Sequence, residues 1–202
     1  DTLMPQRVQG PHNKIQGTRL IRYMNTSRPE NYPRDHETSA VLKNGATVFI
    51  RPVVPDDGPL LKRLFNRLSP RSVYYRFLGN LRELSEEMIY HFTHMDYREE
   101  YALAALINEG GRDAVIAVGR YAHVFEEGTT DLALAVRDDW QGSGLGTLLL
   151  ERVINAGRKQ GYTRYRSMMD PDNTAMRHIL LRLGYKVRLI PREGYFVVDI
   201  DF

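Results

Sequence analysis

Hydrophobic and polar residues follow no sustained period over residues 1–39, whereas the rest of the chain is regularly patterned. The first stretch holds four prolines among scattered Arg, Asn, Gly and Ser residues. Such a composition is typical of a linker or of an extension that lies on a protein surface. It would also suit a tether to a regulatory domain. We therefore predict an N-terminal extension or linker over residues 1–39 and a folded domain over residues 40–202.

Strand-like patterns occur at the start, in the middle and at the end of the folded part. Residues 41–51 read as a hairpin that turns at Asn44-Gly45, because Asn-Gly is strongly favoured in short hairpin turns. Further strands are predicted over residues 101–107, 114–125, 130–136, 164–169, 186–190 and 195–200. The continuous apolarity of residues 130–136 predicts a strand that is buried on both faces.

Apolar residues spaced three and four apart predict helices between these strands. Pro55 opens a helix that runs to Leu68, Ser69-Pro70 starts a short one, and Ser85 caps a third. A long helix runs from Leu145 to near Gly161, and another covers residues 173–183. The order of elements predicts an α/β or α+β fold with a mixed central sheet.

A glycine-rich loop, residues 141–147, joins the strand at residues 130–136 to the long helix. Backbone N–H groups and the helix dipole at such a junction can bind phosphate, and glycines allow close approach of a ligand. An ATP-binding loop would end in Gly-Lys-Ser/Thr, but no lysine is present here. A dinucleotide fingerprint would have G-x-G-x-x-G spacing in an early βαβ unit. Neither pattern fits.

Within this loop, Gln141-x-x-Gly144-x-Gly146 resembles the acetyl-CoA signature of the GNAT superfamily of acetyltransferases. The resemblance extends to Asn173 and to Gly184-Tyr185 eleven residues later, and it covers roughly residues 46–202. It implies the GNAT fold, in which a mixed central sheet has two splayed parallel strands and is flanked by helices.

Two segments upstream resemble a narrower group, the bacterial protein-lysine acetyltransferases. They are Arg51-Pro52-x-x-Pro55-Asp56-Asp57 and Leu68-Ser69-Pro70-Arg71-Ser72-x-Tyr74-x-Arg76-Phe77. In that group the GNAT domain is often joined to an acyl-CoA synthetase-like or cyclic-nucleotide-binding domain. The resemblance therefore implies a possible regulatory domain in a longer chain.

The superfamily resemblance also implies an acetyl-CoA site between residues 130–136 and 164–169. Backbone groups around Leu134 and Val136 would hold the thioester and the pantetheine arm, and Asn173 would touch the pantetheine or the adenosine side. An N–H group aimed at the thioester carbonyl would stabilise the oxyanion. The pyrophosphate would be held by the N–H groups of Gln141, Gly142, Ser143, Gly144, Leu145, Gly146 and Thr147.

Asp131 is the predicted general base. A lysine amine has a pKa of about 10.4 in water and must lose a proton before it can attack. Asp131 begins the strand before the loop, where bacterial protein acetyltransferases usually carry a glutamate, so a bridging water is expected. Ala133 and Ala135 on the same face leave room for a substrate chain. Alternatively Asp131 is a solvated turn residue, with Glu126 or Glu127 as the base.

Several other side chains are predicted to have no catalytic role. Leu180 stands where many GNAT enzymes place a tyrosine acid, so the thiolate would leave through water or the protonated base. His91 and His94 have helical spacing, but no carboxylate completes a metal site, so no metal is predicted. Met168-Met169 is expected to belong to the core of a strand.

Composition excludes other classes of protein. The 202 residues carry a net charge of only +3, which gives little support for nucleic-acid binding. The absence of cysteine excludes disulfides, thiolate metal sites and a cysteine nucleophile, and it fits the cytoplasm. No apolar run approaches the roughly 20 residues of a membrane span.

Together these patterns predict an acetyl-CoA-dependent N-acetyltransferase that modifies lysine side chains of proteins by direct attack. An acyl-CoA synthetase is one possible protein substrate. The alternatives are a small-molecule amine acetyltransferase and a non-catalytic acetyl-CoA sensor, the latter favoured by aspartate in place of glutamate and by the missing tyrosine. A wide, electronegative acceptor cleft would favour protein lysine over a small amine.

Overall fold

The computed structural model describes residues 27–124 and 129–202, and within these ranges eight strands form one sheet. The strands lie in the order β1-β2-β3-β4-β5-β6-β8-β7. Every neighbouring pair is antiparallel except β5 and β6, which are parallel. The strands are β1 (Thr38–Val41), β2 (Thr47–Pro52), β3 (Glu100–Glu109), β4 (Arg112–Val124), β5 (Thr129–Val136), β6 (Arg164–Met169), β7 (Lys186–Arg192) and β8 (Tyr195–Asp201).

Five α-helices accompany the sheet in the described part of the chain, which confirms the predicted mixed fold. They are α1 (Gly58–Phe65), α2 (Pro70–Phe77), α3 (Glu86–Thr93), α4 (Leu145–Lys159) and α5 (Thr174–Arg182). The side chains of Ser69 and Ser85 cap α2 and α3 by accepting backbone N–H groups of Ser72 and Met88. The helix predicted from Pro55 to Leu68 is shorter in the structure, because residues 55–57 form a 3₁₀ turn and α1 ends at Phe65.

Two hydrophobic cores lie on opposite faces of the sheet, as the alternation of side chains along a strand requires. Phe49 and Ala104 belong to the core under α1, α2 and α3, while their neighbours Ile50 and Ala105 belong to the core under α4. We call these two sides of the sheet the α1–α3 face and the α4 face. α4 lies close to the sheet because Gly119 of β4 leaves room for Leu149 and Val153.

An ion pair between Arg51 and Asp57 explains the first of the two upstream motifs. Both side chains are buried, and the guanidinium donates to the carboxylate oxygens at 2.7 and 2.6 Å. Asp57 also accepts the N–H of Val54 at 2.9 Å. Because breaking such a buried pair leaves an uncompensated charge, the motif holds the start of α1 against β2.

Residues 27–37 pack against the same region of the domain. Tyr32 is buried and donates from its hydroxyl to Glu37 at 2.8 Å, while the ring of His36 lies 2.7 Å (Nδ1 to Oη) from Tyr101. Arg28 forms an ion pair with Glu37 at 2.7 Å. The boundary between residues 39 and 40 stays a prediction, and residues 1–26 lie outside the described residues.

The expected burial of β5 on both faces is only partly observed. Leu132 is buried, but residues 133–136 are all partly exposed and Asp131 is exposed. The physical reason is that the parallel pairing of β5 with β6 is registered at a single position, Thr130 with Tyr165. The far half of β5 therefore borders a gap instead of a neighbouring strand.

Candidate active site

The gap between β5 and β6 exposes backbone groups of β5. The hydroxyl of Ser167 donates to the carbonyl of Leu132 at 2.7 Å, and the Gln141 side chain donates to the carbonyl of Val136 at 3.2 Å. Since alternate residues of a strand point their backbone groups to the same edge, the N–H and C=O groups of Leu134 also face the gap. These are the backbone groups that the sequence analysis assigned to the thioester and the pantetheine arm.

A cleft of about 890 Å³ extends from this gap to the N-terminus of α4. A cleft of this volume is large enough for a sizeable organic ligand. Ser143 and Leu145 are predicted site residues that do not line it. The predicted residues that line it are Leu134, Val136, Gln141, Gly142, Gly144, Gly146, Thr147 and Asn173.

The glycine loop has the backbone geometry of an anion site. Gly142 and Gly144 adopt φ values of +73° and +87°, a left-handed conformation that favours glycine. The first bond of the α4 ladder runs from the N–H of Leu148 to the carbonyl of Gly144 at 3.1 Å. The helix itself provides no carbonyl for the N–H groups of Gly146 and Thr147, which can therefore bind a ligand.

Three of the predicted loop residues also hold the loop in shape. The N–H of Gln141 donates to the carbonyl of Asp138 at 3.2 Å, and the Ser143 hydroxyl donates to the carbonyl of Trp140 at 2.6 Å. The N–H of Leu145 contacts the Ser143 hydroxyl at 3.4 Å. Part of the signature therefore orders the loop, and the sequence alone did not separate this role from ligand contact.

Gly146 is required for packing as well as for the loop. A Cβ atom at this position would lie 2.9 Å from Cδ1 of Ile179 and 3.2 Å from Cδ2 of Leu134. Both distances are shorter than ordinary carbon contacts. The glycine therefore lets α4, α5 and β5 meet at the floor of the cleft.

Asn173 lies at the N-terminus of α5, between the cleft and a second cavity. Its Oδ1 atom accepts the N–H of Met176 at 3.0 Å, so the side chain caps the helix. The cap uses only the oxygen of this amide, and its Nδ2 group is a separate donor. Asn173 is 7% exposed and lines both cavities, so this donor is well placed to contact a ligand that bridges them.

Three basic residues that the sequence did not single out also line the cleft. Lys43 crosses the glycine loop, with its side-chain carbons 3.4–3.6 Å from where a Cβ of Gly144 would lie. Arg71 and Arg182 line the same cleft. Arg71 belongs to the second upstream motif, so its function could have been suspected, but no local pattern relates Lys43 or Arg182 to the loop. The three cations suit a ligand that carries phosphates.

Serines of that same motif fix α2 to the loop. The hydroxyls of Ser69 and Ser72 both donate to Oδ1 of Asp138 at 2.7 Å. Burial raises the pKa of Asp138, but the hydrogen bonds from these two serines outweigh it and hold the pKa below its ordinary value. Asp138 is therefore an ionised anchor that positions one wall of the cleft.

A second cavity, of about 250 Å³, opens on the gap from the side of Asp131. It shares Tyr75, Arg76, Leu134, Asn173 and Met176 with the larger cleft, so the two spaces adjoin at the splayed strands. Asp131 lines this second cavity but not the larger cleft, and its carboxylate feels the positive charge of Arg76, which lines both spaces. Glu126 and Glu127 lie outside the described residues.

The positive charges of two arginines act on the Asp131 carboxylate. Although part of Asp131 is exposed, the protein around its carboxylate removes water from it and raises its pKa above the ordinary value, while the positive charges of Arg76 and Arg120 oppose that rise. Burial, assisted by the charge of Arg120, lowers the pKa of Arg76 to about 10, so Arg76 remains charged at neutral pH. The ring of Phe92 lies 5.2 Å from the Arg120 guanidinium and 5.9 Å from that of Arg76.

The second cavity is open but not electronegative. Asp131 is the one carboxylate among the described residues that line it, and Arg76 lines it too. In its described part the structure thus lacks the electronegative cleft that would have favoured protein lysine over a small amine. It also corrects the assignment of Met168 to a strand core, because Met168 is 57% exposed and lines the cavity together with Met169.

The remaining candidates have structural surroundings. Leu180 is buried beside the cavity, and Tyr185 packs edge-on against Phe202 with ring centroids 5.0 Å apart. His91 is exposed beside Glu100 at 3.4 Å, and His94 stacks on Tyr90. No group of three or more His, Asp or Glu residues in the described ranges is arranged to hold a metal ion. None of the helices described is long and apolar enough to cross a membrane.

A mixed sheet whose two parallel strands part beside a glycine-rich helix start is the architecture of a GNAT acyltransferase. The family model described as "Acetyltransferase (GNAT) domain" matches residues 47–186, and the chain belongs to this family. The protein is accordingly an acetyltransferase of the GNAT type.

Individual relatives agree with this assignment. Acetyltransferase PA5475 of Pseudomonas aeruginosa is 34% identical over 157 residues, which are 78% of this chain and 84% of that protein. Acetyltransferase Pat of Mycolicibacterium smegmatis is 29% identical over 147 residues, and the chain spans only 42% of its length. The crystal structure of the GNAT domain of S. lividans PAT superposes with a TM-score of 0.77 at 30% identity, over 85% of this chain and 99% of that one.

Proposed function

We propose that this chain acetylates lysine side chains of proteins, with acetyl-CoA as the acyl donor and Asp131 as the general base. The observation that carries the proposal is the position of Asp131 in the wall of the second cavity, which we call the acceptor cavity and which adjoins the larger cleft. A base must lie within reach of the amine it deprotonates, directly or through one water. An opening at an exposed Asp131 and Met168 suits a long side chain that projects from a larger molecule.

The residues around the larger cleft fit acetyl-CoA. The N–H groups that precede Leu148, together with Lys43, Arg71 and Arg182, match its phosphates. The backbone groups of Leu134 and the Asn173 amide would hold the extended arm. Acetyl-CoA supplies the acetyl group as a thioester.

Asp131 supplies the proton transfer that lysine needs. Its raised pKa brings it closer to the pKa of the amine, which makes it a better proton acceptor as long as it remains ionised. The two neighbouring arginines keep the carboxylate ionised and also disfavour a bound ammonium. Both effects favour attack by the neutral amine.

The decisive experiment compares the parent with Asp131→Asn in a thiol-release assay on lysine-containing proteins and on small amines. We expect kcat to fall by about 10²–10⁴-fold, the usual contribution of a general base. The affinity for CoA should remain unchanged in calorimetry. Asp56→Asn is the matched control, because Asp56 is exposed and distant in sequence from the cavity residues.

Other outcomes would redirect the assignment. Full activity in Asp131→Asn would move the base elsewhere, and the double variant Glu126→Gln/Glu127→Gln would then test the loop carboxylates. Turnover of small amines alone would overturn the protein acceptor. Tight CoA binding without turnover on any acceptor would favour a sensor. An acyl-CoA synthetase as substrate, a regulatory domain in a longer chain and a cytoplasmic location stay predictions.

A further inference from the structure

The α1–α3 face of the sheet is covered by helices over only half of its width. The core beneath these helices draws its strand residues from β2, β3 and β4. Within residues 27–124 and 129–202, no helix covers the same face on β6, β8 and β7, where Arg164, Met168, Lys186 and Arg188 are exposed. We call this uncovered half the open face.

The strand register arranges the open face in rows, because residues directly opposite each other in antiparallel strands point to the same side. The first two rows are charged, the third is apolar, and the fourth pairs a tyrosine with an arginine. The rows are Arg164–Asp201–Lys186, then Arg166–Asp199–Arg188, then Met168–Val197–Ile190, then Tyr195–Arg192.

Basic groups dominate the solvent side of these rows. Asp199 has a side chain only 3% exposed beneath Arg166 and Arg188, whose side chains are 40% and 45% exposed. The five basic residues in the rows outnumber the two carboxylates. Exposed guanidinium groups are suited to carboxylates on a partner, because they can bind them through several N–H donors.

The open face is continuous with the acceptor cavity. Asp131 lies on the same side of the sheet, on the strand next to β6, at the border between the covered and the open half. Met168 belongs both to the apolar row and to the cavity lining. A chain lying across β6, β8 and β7 could therefore extend a side chain into the cavity towards Asp131.

We propose that the open face is the docking surface for the protein acceptor, and that it selects lysines flanked by acidic residues with an apolar residue close by. The acidic residues would pair with Lys186, Arg188 and Arg192, and the apolar one would pack on the Met168–Val197–Ile190 row. This inference rests on the proposed function and adds the substrate sequence that the site prefers. It also explains why the acceptor side is basic.

The test uses two short single-lysine peptides, one with Leu, Asp and Glu around the lysine and one with Leu and Arg at the same places. We expect the parent to prefer the acidic peptide by about tenfold in kcat/KM at low salt, and less as salt screens the charges. In the variant Lys186→Gln/Arg188→Gln/Arg192→Gln, the preference should fall to about twofold. This variant keeps the Arg164–Asp201 and Arg166–Asp199 pairs, so the fold should persist.

The matched control is Arg63→Gln/Arg82→Gln/Arg112→Gln, which removes the same charge from exposed positions outside the open face. It should keep the preference of the parent. Equal rates on both peptides would overturn the docking surface while leaving lysine acetylation intact. No acetylation of either peptide would overturn both proposals. A third outcome is a parent dimer that dissociates in Lys186→Gln/Arg188→Gln/Arg192→Gln while the peptide preference stays unchanged. This outcome would assign the open face to self-association and overturn the inference.

Discussion

The chemistry of the acceptor cavity depends on one carboxylate between two guanidinium groups. Arg76 comes from α2 and Arg120 from β4, and both act on Asp131 from the α1–α3 face. Desolvation raises the pKa of Asp131, and the charges of the two arginines lower it and so favour the ionised carboxylate. The second upstream motif thus contributes Arg76 to the cavity as well as Arg71 to the cleft.

The variant Arg76→Gln tests this electrostatic balance. The positive charge of Arg76 lowers the pKa of Asp131, so its removal should raise that pKa further. Because the base works only when ionised, the acidic limb of the kcat profile should move to higher pH, with the loss greatest in acid. The measurement is kcat against pH at saturating acetyl-CoA. The control is Arg63→Gln, on the exposed side of α1, which should not change the acidic limb of the profile. If Arg76→Gln also leaves that limb unchanged, the assignment of Asp131 as the base is contradicted.

At the scale of elements, the site depends on how closely α4 approaches the sheet. Gly119 admits the side chains of Leu149 and Val153, and Gly157 faces Tyr165 at the end of α4 nearest to β6. The Tyr165 hydroxyl lies 3.3 Å from the carbonyl of Ile154 inside the core. The position of α4, and with it that of the glycine loop, is thus also fixed by contacts along the helix outside the loop itself.

Gly157→Ala should show how tight this packing is. The new Cβ would overlap the Tyr165 hydroxyl and crowd the ring, and overpacking of this kind costs about 1–3 kcal/mol. The free energy of unfolding in urea measures the loss. Adding Tyr165→Phe should recover part of it, because the hydroxyl is the atom nearest to the added methyl. A double variant no more stable than Gly157→Ala would contradict this account.

The sequence predicted most elements to within a few residues because each has a local signal, such as Ser85 at a helix start or Asn44-Gly45 at a turn. The departures have tertiary causes. Residues 133–136 read as a doubly buried strand because a sequence pattern does not show that β6 turns away. Met168 looked like core because no local signal reveals that the α1–α3 helices end before β6. Arg76 and Arg120 come together only across two elements, so the electrostatics of Asp131 could not be predicted.

At the scale of the molecule, the cleft lies where elements distant in sequence meet. β5, α4, α5, α2 and Lys43 before β2 all contribute to its walls. A ligand that contacts all of them stabilises the folded state by mass action. Its effect on unfolding therefore reports how completely the cleft is used.

CoA should stabilise the chain by about 2.7 kcal/mol at a hundredfold excess over its dissociation constant. Pantetheine is the matched control, since it keeps the arm that would reach Leu134 and Asn173 but lacks the pyrophosphate proposed for the glycine loop. At equal concentration it should raise the melting temperature much less. Equal shifts from the two compounds would remove the loop from the proposed phosphate site.

The division of the α1–α3 face has a consequence for divergence within the family. Lys186, Arg188 and Arg192 belong neither to the glycine loop nor to the surroundings of Asp131. If the open face docks the acceptor, substitutions there could change which proteins are acetylated without loss of acetyl transfer. Selection can then change the hairpin of β7 and β8 without changing the glycine loop or Asp131. Duplicated genes of this type would be expected to drift fastest in that hairpin while their donor specificity stays the same.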